Sequence, residues 1–219
     1  MAWSDPGDFT SGQILTAAQM DSVREAMFLG QATFTNEAAR DAAIPATGIA
    51  LQEGMRAYLT APTVPAATGQ TTAVPSGITT IYNGSVWVCT TPVGASSTTS
   101  ATTTSGSYVT TLTGDATAIA VTLVTGTTAK VDFGFWGNVG ATPATQMTAS
   151  IAVSGATTIA AGINASAYMG AAATNLTSHR GWVFTGLTAG TNTFTLSYSA
   201  VGGATATYAQ RWLVVHGVA

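Results

Sequence analysis

Charged residues are scarce in this sequence. They make up 7% of its 219 residues, whereas about a quarter is usual in soluble proteins. The stretch from 96 to 219 has five, namely Asp115, Lys130, Asp132, Arg180 and Arg211. Its surface must therefore be solvated by hydroxyl groups or be buried between subunits. The net charge of -3 provides no positive field, so we expect no nucleic-acid partner and no membrane-surface partner.

Residues that carry out chemistry are also few. Cys89 is alone, so neither an intrachain disulfide nor a cysteine-based metal site can form. The histidines, His179 and His216, belong to no recognisable nucleophile motif. Seven of the nine acidic residues lie in the first 53, which leaves only Asp115 and Asp132 for a carboxylate pair further on. We therefore expect no enzymatic activity, no metal and no cofactor.

Long apolar runs and a secretory signal are both missing. No segment approaches the roughly 18 uninterrupted apolar residues that a membrane-spanning helix needs. The first twenty residues contain Asp5 and Asp8, and they lack both a basic start and an apolar run. We therefore expect neither membrane insertion nor export by a classical-type leader sequence.

The N-terminal segment 1–30 contains the clearest helix signal. Thr16 and Gln19 have the spacing of a capping box, and Leu15 and Met20 have that of a hydrophobic staple. These features predict a helix over 17–29 that ends at Gly30. A helix this short needs a partner for its apolar stripe.

The tail before this helix contains Trp3 and Phe9 in a turn-rich stretch. Such a tail is either a flexible end or docks on a neighbouring subunit or larger particle. The residues predicted to anchor the chain in an assembly are Trp3, Phe9, Leu15, Met20, Val23 and Met27.

Residues 31–92 are predicted to form a small β module. A short helix is expected over 35–44, because Pro45 restricts the residue before it. The segments 54–60, 78–82 and 85–88 have the composition and alternation of strands. Asn83-Gly84 between the last two predicts a hairpin with a type I′ turn. We interpret 50–92 as a small β-meander.

Residues 93–107 read VGASSTTSATTTSGS, which is a low-complexity, hydroxyl-rich stretch with little to bury. It predicts a linker between the small module and a C-terminal domain at 108–219. Eight short strands with no intervening helix are expected in that domain, at 108–112, 118–124, 129–136, 148–153, 167–169, 182–184, 193–198 and 208–215. This pattern favours an antiparallel β-sandwich of jelly-roll type, so the whole chain is classed as mainly β.

The last predicted strand is apolar on both faces. Trp212 and Val214 point one way, and Leu213 and Val215 the other. Either it is a central strand of the sandwich, or one face is buried against another subunit. Trp212 and Val214 are therefore candidate oligomer-interface residues, and we predict a homotrimer.

A ligand surface is predicted around His179, Arg180 and Trp182. Aromatic rings stack on sugar faces, and the two basic residues can hydrogen-bond to hydroxyl groups. Trp182 lies in a strand pattern, as Trp136 does, and this pattern favours the core over a ligand surface for both. His179 and Arg180 precede that strand and are the better candidates for exposure.

Several short motifs resemble those of tailed-bacteriophage virion proteins. The opening Trp3 with Gly12-Gln-Ile-Leu-Thr-Ala-Ala-Gln-Met20 is similar to segments that begin a helix in many of them. Residues 38–45, 54–58 and 82–87 resemble the small β module of head-fibre and minor tail proteins. Residues 186–196 and 211–215 resemble the jelly-roll tips of such fibres, which are often trimeric.

This resemblance implies a fibre or spike on the virion, anchored to capsid or tail proteins through its N-terminus. Its β-rich tip would contact the host surface, with a cell-surface glycan as the candidate partner. The alternative is an architectural decoration protein of the capsid or tail that binds no receptor.

Overall fold

The fold is taken from a computed structural model that describes residues 32–46, 50–139, 146–170 and 175–219. The N-terminal helix predicted over 17–29 lies outside these residues, as do the predicted anchoring residues Trp3, Phe9, Leu15, Met20, Val23 and Met27. Within the described part, no helix combines the length and the hydropathy needed to cross a membrane.

The described residues form fifteen strands, one α-helix (α1, Glu37–Ala46) and a single-turn 3-10 helix at Ile163–Ala165. The strands are β1 (Ala32–Phe34), β2 (Arg56–Leu59), β3 (Ala66–Thr68), β4 (Thr71–Ala73), β5 (Ile78–Tyr82), β6 (Trp87–Cys89), β7 (Val93–Ser97), β8 (Ala101–Thr103), β9 (Ala120–Thr125), β10 (Thr128–Val139), β11 (Gln146–Gly155), β12 (Ser166–Met169), β13 (Leu176–Thr185), β14 (Gly190–Val201) and β15 (Ala206–Val218). The chain is mainly β, as the sequence predicts.

Eight of these strands form an antiparallel sandwich. One sheet has the order β7-β15-β10-β13 and the other β9-β14-β11-β12. If β7 and β9 to β15 are numbered one to eight along the chain, these orders are 1-8-3-6 and 2-7-4-5. Strands distant in sequence therefore pair in both sheets, which is the double Greek-key arrangement of a jelly roll. The predicted antiparallel sandwich is confirmed.

The sandwich recruits two further strands from an earlier part of the chain. β3 pairs with β9 at the edge of one sheet, and β4 pairs with β7 at the edge of the other. Only two residues, 69 and 70, separate β3 from β4, so this short connection joins the two sheets along one side. The sheet that contains β9 thus has five strands. The sheet that contains β7 has six, because β8 also pairs with β15, nearer the start of that strand than β7 does.

The predicted linker at 93–107 is wrong. Residues 93–97 form β7, whose side chains Val93, Ala95 and Ser97 are buried and lie opposite Val215, Leu213 and Arg211 of β15. Residues 101–103 form β8. The small side chains of β7, which contribute to the low complexity of the segment, are packed against β15 and are mostly shielded from water.

Seven of the eight strands predicted for the C-terminal region are present. The exception is 108–112, where only isolated bridges occur, from Val109 to Tyr198 and from Leu112 to Asp115. The first strand of the jelly roll is therefore β7 instead.

The core lies between the two sheets. Val131, Phe133 and Phe135 of β10 belong to the same core cluster as Phe194 and Leu196 of β14, and all five are fully buried. Edge-to-face ring contacts connect the strands, such as Phe184 with Phe194 at a centroid distance of 5.7 Å. The alternation visible in the sequence thus sets which face of each strand points inward.

A separate four-stranded sheet has the order β1-β2-β5-β6. β1 pairs with β2 in parallel, and β2, β5 and β6 are antiparallel. The small module is therefore not a simple meander. Between β2 and β5 the chain leaves this sheet and forms β3 and β4, which pair with strands of the sandwich instead.

The hairpin predicted at Asn83-Gly84 is present, but its turn is longer than predicted. Tyr82 pairs with Trp87, which leaves a four-residue loop. The Asn83 side chain accepts hydrogen bonds from the backbone N–H groups of Ser85 (3.1 Å) and Val86 (2.9 Å). Gly84 has a φ of 87°, the conformation that favours glycine.

The small sheet packs directly on the sandwich. Gly217 of β15 leaves room for the Val88 side chain and the Cys89 carbonyl group, and a Cβ atom there would overlap both. Leu59, Ile78 and Cys89 join the same cluster of buried residues as the sandwich core. The core is therefore continuous across the position where the sequence predicts a linker.

Helix α1 forms where the sequence predicts a short helix, but Pro45 does not end it, because the helix continues through that residue to Ala46. Two side chains fix its first turn. The Asn36 side chain caps it by accepting a hydrogen bond from the Ala39 N–H at 3.0 Å. The Glu37 carboxylate accepts hydrogen bonds from the Thr63 and Val64 N–H groups at 3.0 and 3.1 Å. Although burial alone would raise the pKa of Glu37, these hydrogen bonds outweigh it and lower the pKa.

One ion pair is buried inside the sandwich. Arg211 and Asp115 have side-chain exposures of 0% and 9%, and Arg211 Nη2 lies 2.5 Å from Asp115 Oδ2. Ser97 Oγ donates to the same oxygen at 2.7 Å, and the Thr117 N–H donates to the other at 3.0 Å. Burial opposes the charge on Asp115, but the hydrogen bonds and the guanidinium prevail and lower its pKa to about 2. The pair connects β7, β15 and the segment before β9.

Candidate functional site

The two sheets of the sandwich differ sharply in chemistry. Strands β3, β9, β11, β12 and β14 contain no charged residue and no histidine. Both histidines of the chain, and the charged residues Lys130, Asp132, Arg180 and Arg211, lie on β10, β13 and β15 of the other sheet. Within the sandwich strands, the charged side chains and the histidines that could recognise a ligand are thus concentrated on one sheet.

We call the solvent side of that sheet the tryptophan face. Its strand register places Thr177, Trp136 and Gln210 in one row, His179, Gly134, Trp212 and Ser96 in the next, Gly181, Asp132, Val214 and Gly94 in the third, and Val183, Lys130 and His216 in the last. The opposite side of the same strands carries the core residues of β10. The tryptophan face is therefore a regular sheet surface rather than a loop cluster.

Two indole rings dominate this face. Trp136 lies opposite Gln210, and Trp212 lies opposite Gly134, so the two tryptophans are diagonal neighbours on adjacent strands. The six-membered ring of Trp212 covers Gly134, where a Cβ atom would overlap it. Both tryptophans are partly exposed. The face therefore presents aromatic surface to solvent next to a position without a side chain.

The charged groups of the face are paired with each other. Lys130 Nζ lies 3.5 Å from Asp132 Oδ2, and each side chain is 49% exposed. The Asp132 carboxylate leans over Gly181, because a Cβ atom there would be 2.7 Å from Asp132 Oδ1. An exposed pair of this kind contributes little to stability, which leaves the carboxylate available for hydrogen bonds with a ligand.

Further hydrogen-bonding groups surround the indoles. His179 lies beyond Gly134 in the row of Trp212, and Gln210 lies beside Trp136; both side chains are exposed. Asn138, one step further along β10, donates to Asn175 Oδ1 at 2.8 Å. The rings are therefore bordered by groups that can both donate and accept.

The three predicted ligand-contact residues are divided between the two sides of β13. His179 is on the tryptophan face. Arg180 and Trp182 are on the core side, where the Arg180 guanidinium lies 4.6 Å from the Trp182 ring centroid. Arg180 also donates to the Ser166 carbonyl oxygen of β12 at 3.0 Å, so it joins the edges of the two sheets. His179 alone of the three is on the tryptophan face.

The two predicted interface residues, Trp212 and Val214, are both on the tryptophan face. β15 lies between β10 and β7 in the middle of its sheet, which agrees with the central-strand interpretation. Leu213 and Val215 of the same strand are fully buried in the core. The partial exposure of Trp212 and Val214 leaves their side chains accessible to a partner.

Metal binding and thiol chemistry find no support in the described residues. Within 32–46, 50–139, 146–170 and 175–219, no group of three or more His, Cys, Asp or Glu side chains could hold a metal ion. Cys89 is buried, and burial raises the pKa of its thiol to about 11.

No protein-family model and no curated protein matches the chain. Among solved structures, the infectious bursal disease virus Gx strain structure is 12% identical with a TM-score of 0.36, covering 64% of this chain and 42% of that one. The enzymatically active domain of bacteriophage CBA120 tailspike protein 4 is 12% identical with a TM-score of 0.24, covering 55% and 19%. TmCBM61 in complex with β-1,4-galactotriose is 10% identical with a TM-score of 0.22, covering 56% and 68%. The chain thus spans less than half of the first two proteins, and at these TM-scores the likenesses carry no conclusion about it.

Proposed function

We propose that the protein is a virion appendage, a fibre or spike, whose jelly roll binds a host cell-surface glycan through the tryptophan face. The observation that carries this proposal is the pair of partly exposed indoles, Trp136 and Trp212, beside exposed His179 and Gln210. The apolar C–H side of a sugar ring packs well against an indole, whose ring face is electron-rich. The surrounding side chains are suited to the sugar hydroxyls.

The virion part of the proposal is supported by the resemblance of the N-terminal and small-module motifs to those of tailed-bacteriophage virion proteins. In this proposal the N-terminal segment anchors the chain to capsid or tail proteins, and the sandwich is displayed outward. The protein acts by binding and has no catalytic role. The alternative remains an architectural decoration protein without a receptor.

The binding proposal is tested by sedimenting the unlabelled full chain with bacterial envelopes from several species. Amine labelling must be avoided, because Lys130 is the sole lysine of the sequence and lies on the tryptophan face. We expect binding that resists protease treatment of the envelopes and is lost after periodate oxidation of their sugars. Trp136→Ala should reduce the bound fraction at least fivefold, since aromatic residues are frequent hot spots.

A matched control is Tyr168→Ala, which removes an exposed aromatic ring (51%) from the other sheet and should leave binding unchanged. Binding that survives periodate, or that depends equally on Tyr168, would contradict a glycan site on the tryptophan face. No binding to any envelope would favour the decoration role.

We also propose that the appendage is a trimer joined through the other sheet. The accessible half of that sheet's solvent side, the hydroxyl face, consists of Ala66, Thr68, Ala120, Thr122, Ala152, Ser154, Thr193 and Thr195. Thr122 Oγ1 and Thr193 Oγ1 are hydrogen-bonded to each other at 2.8 Å, so they need little water. A flat face without charge is inexpensive to desolvate, which favours packing against a second copy.

Light scattering is expected to give a mass near three times the 22.0 kDa of one chain. Thr193→Lys should place a charge in the contact and shift the mass towards a single chain, because an unpaired charge is costly to bury. Ser100→Lys, at an exposed position that is not part of the hydroxyl face, should leave the mass unchanged. A wild-type protein that is monomeric at micromolar concentration would rule out the trimer.

A further inference from the structure

We propose that the tryptophan face selects neutral glycans and discriminates against acidic ones. This inference rests on the proposed function, since it specifies the ligand class of the same site. It follows from the way the charges of this face are arranged around the indoles.

The face offers no free fixed cation to an acidic sugar. Lys130, the one lysine or arginine among its described residues, already lies 3.5 Å from the Asp132 carboxylate. Arg180 and Arg211 belong to the same sheet but point to its core side, where Arg180 donates to Ser166 and Arg211 to Asp115. A carboxylate or phosphate on the ligand would therefore have to displace an existing partner.

The carboxylate of Asp132 adds a second element of selection. It lies over Gly181, one row from Trp212, because Asp132 and Val214 are opposite each other and Trp212 is two residues before Val214. A neutral sugar stacked on Trp212 can donate its hydroxyl groups to this carboxylate, which makes a charge-assisted hydrogen bond. An acidic sugar in the same place brings a second negative charge close to Asp132. Specificity thus arises from repulsion as well as attraction.

The shape of the face also suits an uncharged ring. Gly134, in the row of His179, and Gly181, in the next row, leave two positions of β10 and β13 without side chains. The Trp212 indole covers the first, and the Asp132 carboxylate covers the second. A sugar ring can therefore lie on the indole with its hydroxyl groups directed at Asp132 and His179.

The test measures binding of the full chain to bacterial surface polysaccharides by calorimetry at pH 8. Each acidic polysaccharide is used in two forms, native and with its carboxylates chemically reduced to alcohols, so that only the charge differs. We expect the reduced form to bind at least tenfold more tightly than the native one. The affinity for neutral chains should change less than twofold between 50 and 500 mM salt, because no ion pair with the ligand is involved.

Four variants examine the residues named. Trp212→Ala should weaken neutral-glycan binding at least tenfold, and Trp212→Phe should restore part of it, because the loss then reflects ring stacking. Asp132→Asn should reduce the discrimination between native and reduced chains, whereas Lys130→Gln should change neutral-glycan affinity less than twofold. Thermal unfolding of each variant confirms that it is folded.

Tighter binding of native acidic chains, with strong salt dependence and a loss in Lys130→Gln, would overturn the inference and leave the proposed function intact. Absence of binding to every polysaccharide would remove the proposed function itself. If Trp212→Ala instead lowers the mass measured by light scattering, the face is a contact between copies, and the glycan assignment is overturned.

Discussion

Asp115→Ala is expected to lower the free energy of unfolding by about 3 to 5 kcal/mol, the usual effect of removing one partner of a buried ion pair. Arg211 would keep its Ser97 Oγ and Thr99 carbonyl partners, both at 2.9 Å, but no opposing charge. Its side chain is fully buried and cannot turn to solvent without disturbing β15, the central strand of its sheet. Urea denaturation followed by tryptophan fluorescence measures the difference.

Asp132→Ala is the matched control, since it also removes an aspartate from a pair with a basic residue. Because the Lys130–Asp132 pair is half exposed, the expected loss is less than about 1 kcal/mol. Equal losses in the two variants would mean that burial does not determine the strength of these pairs.

The effect of Asp115→Ala should also depend on pH in a defined direction. The pKa of Asp115 is lowered from 3.8 in the unfolded chain to about 2 in the folded protein. The charged carboxylate therefore stabilises the folded state above pH 3.8, and this contribution is lost as the pH falls towards 2. A shift of this size corresponds to about 2 kcal/mol, so the gap between wild type and variant should narrow by that amount between pH 6 and pH 2. A gap that widens on acidification would contradict the assigned pKa direction.

The sequence predicts most of the sandwich because its strands alternate clearly. In β10, Val131, Phe133 and Phe135 alternate with Asp132 and Gly134, and all three apolar side chains are buried. β14 shows the same alternation around Phe194 and is also predicted. A half-buried strand carries its own signal in the spacing of its residues, independent of which strands it pairs with.

The first strand of the jelly roll carries no such signal. The inward side chains of β7 are Val93, Ala95 and Ser97, and only the first is clearly apolar. Ser97 is buried because it hydrogen-bonds with Arg211 and Asp115, which are more than ten residues distant in sequence. A run of small and hydroxyl-bearing residues predicts a linker. In the folded protein the same residues form a strand, because they pair with β15, which is distant in sequence. Pairing between distant strands is not visible in local composition.

The sequence could identify single residues of the candidate site but not which of them lie together on one face. His179 and Arg180 are adjacent, and a strand directs neighbouring side chains to opposite sides, so only one of them can lie on a given face. The rows that bring Trp136, Trp212 and His179 together depend on the pairing of β10 with β13 and β15. Register of this kind follows from the folded sheet rather than from the spacing of residues along the chain.

Val93→Asp distinguishes a linker from a strand, and we expect it to destabilise the protein by about 4 kcal/mol or more. Val93 is fully buried, faces the core from β7 and lies opposite Val215. An aspartate there would bury a charge that has no basic partner in the surrounding apolar residues. Circular dichroism and urea denaturation should show a protein that is unfolded or nearly so at 25 °C.

Two further variants serve as controls for Val93→Asp. Ser100→Asp introduces the same charge at an exposed position a few residues later and should cost less than about 0.5 kcal/mol. Val93→Ala keeps the chain foldable and should cost about 2 kcal/mol, because it removes two buried methyl groups without adding a charge. A flexible linker would tolerate all three changes equally, so similar stabilities for wild type and Val93→Asp would disprove the role of β7 as the first strand of the jelly roll. The expected order of loss, Val93→Asp, then Val93→Ala, then Ser100→Asp, follows from the burial of the position together with the charge that is introduced.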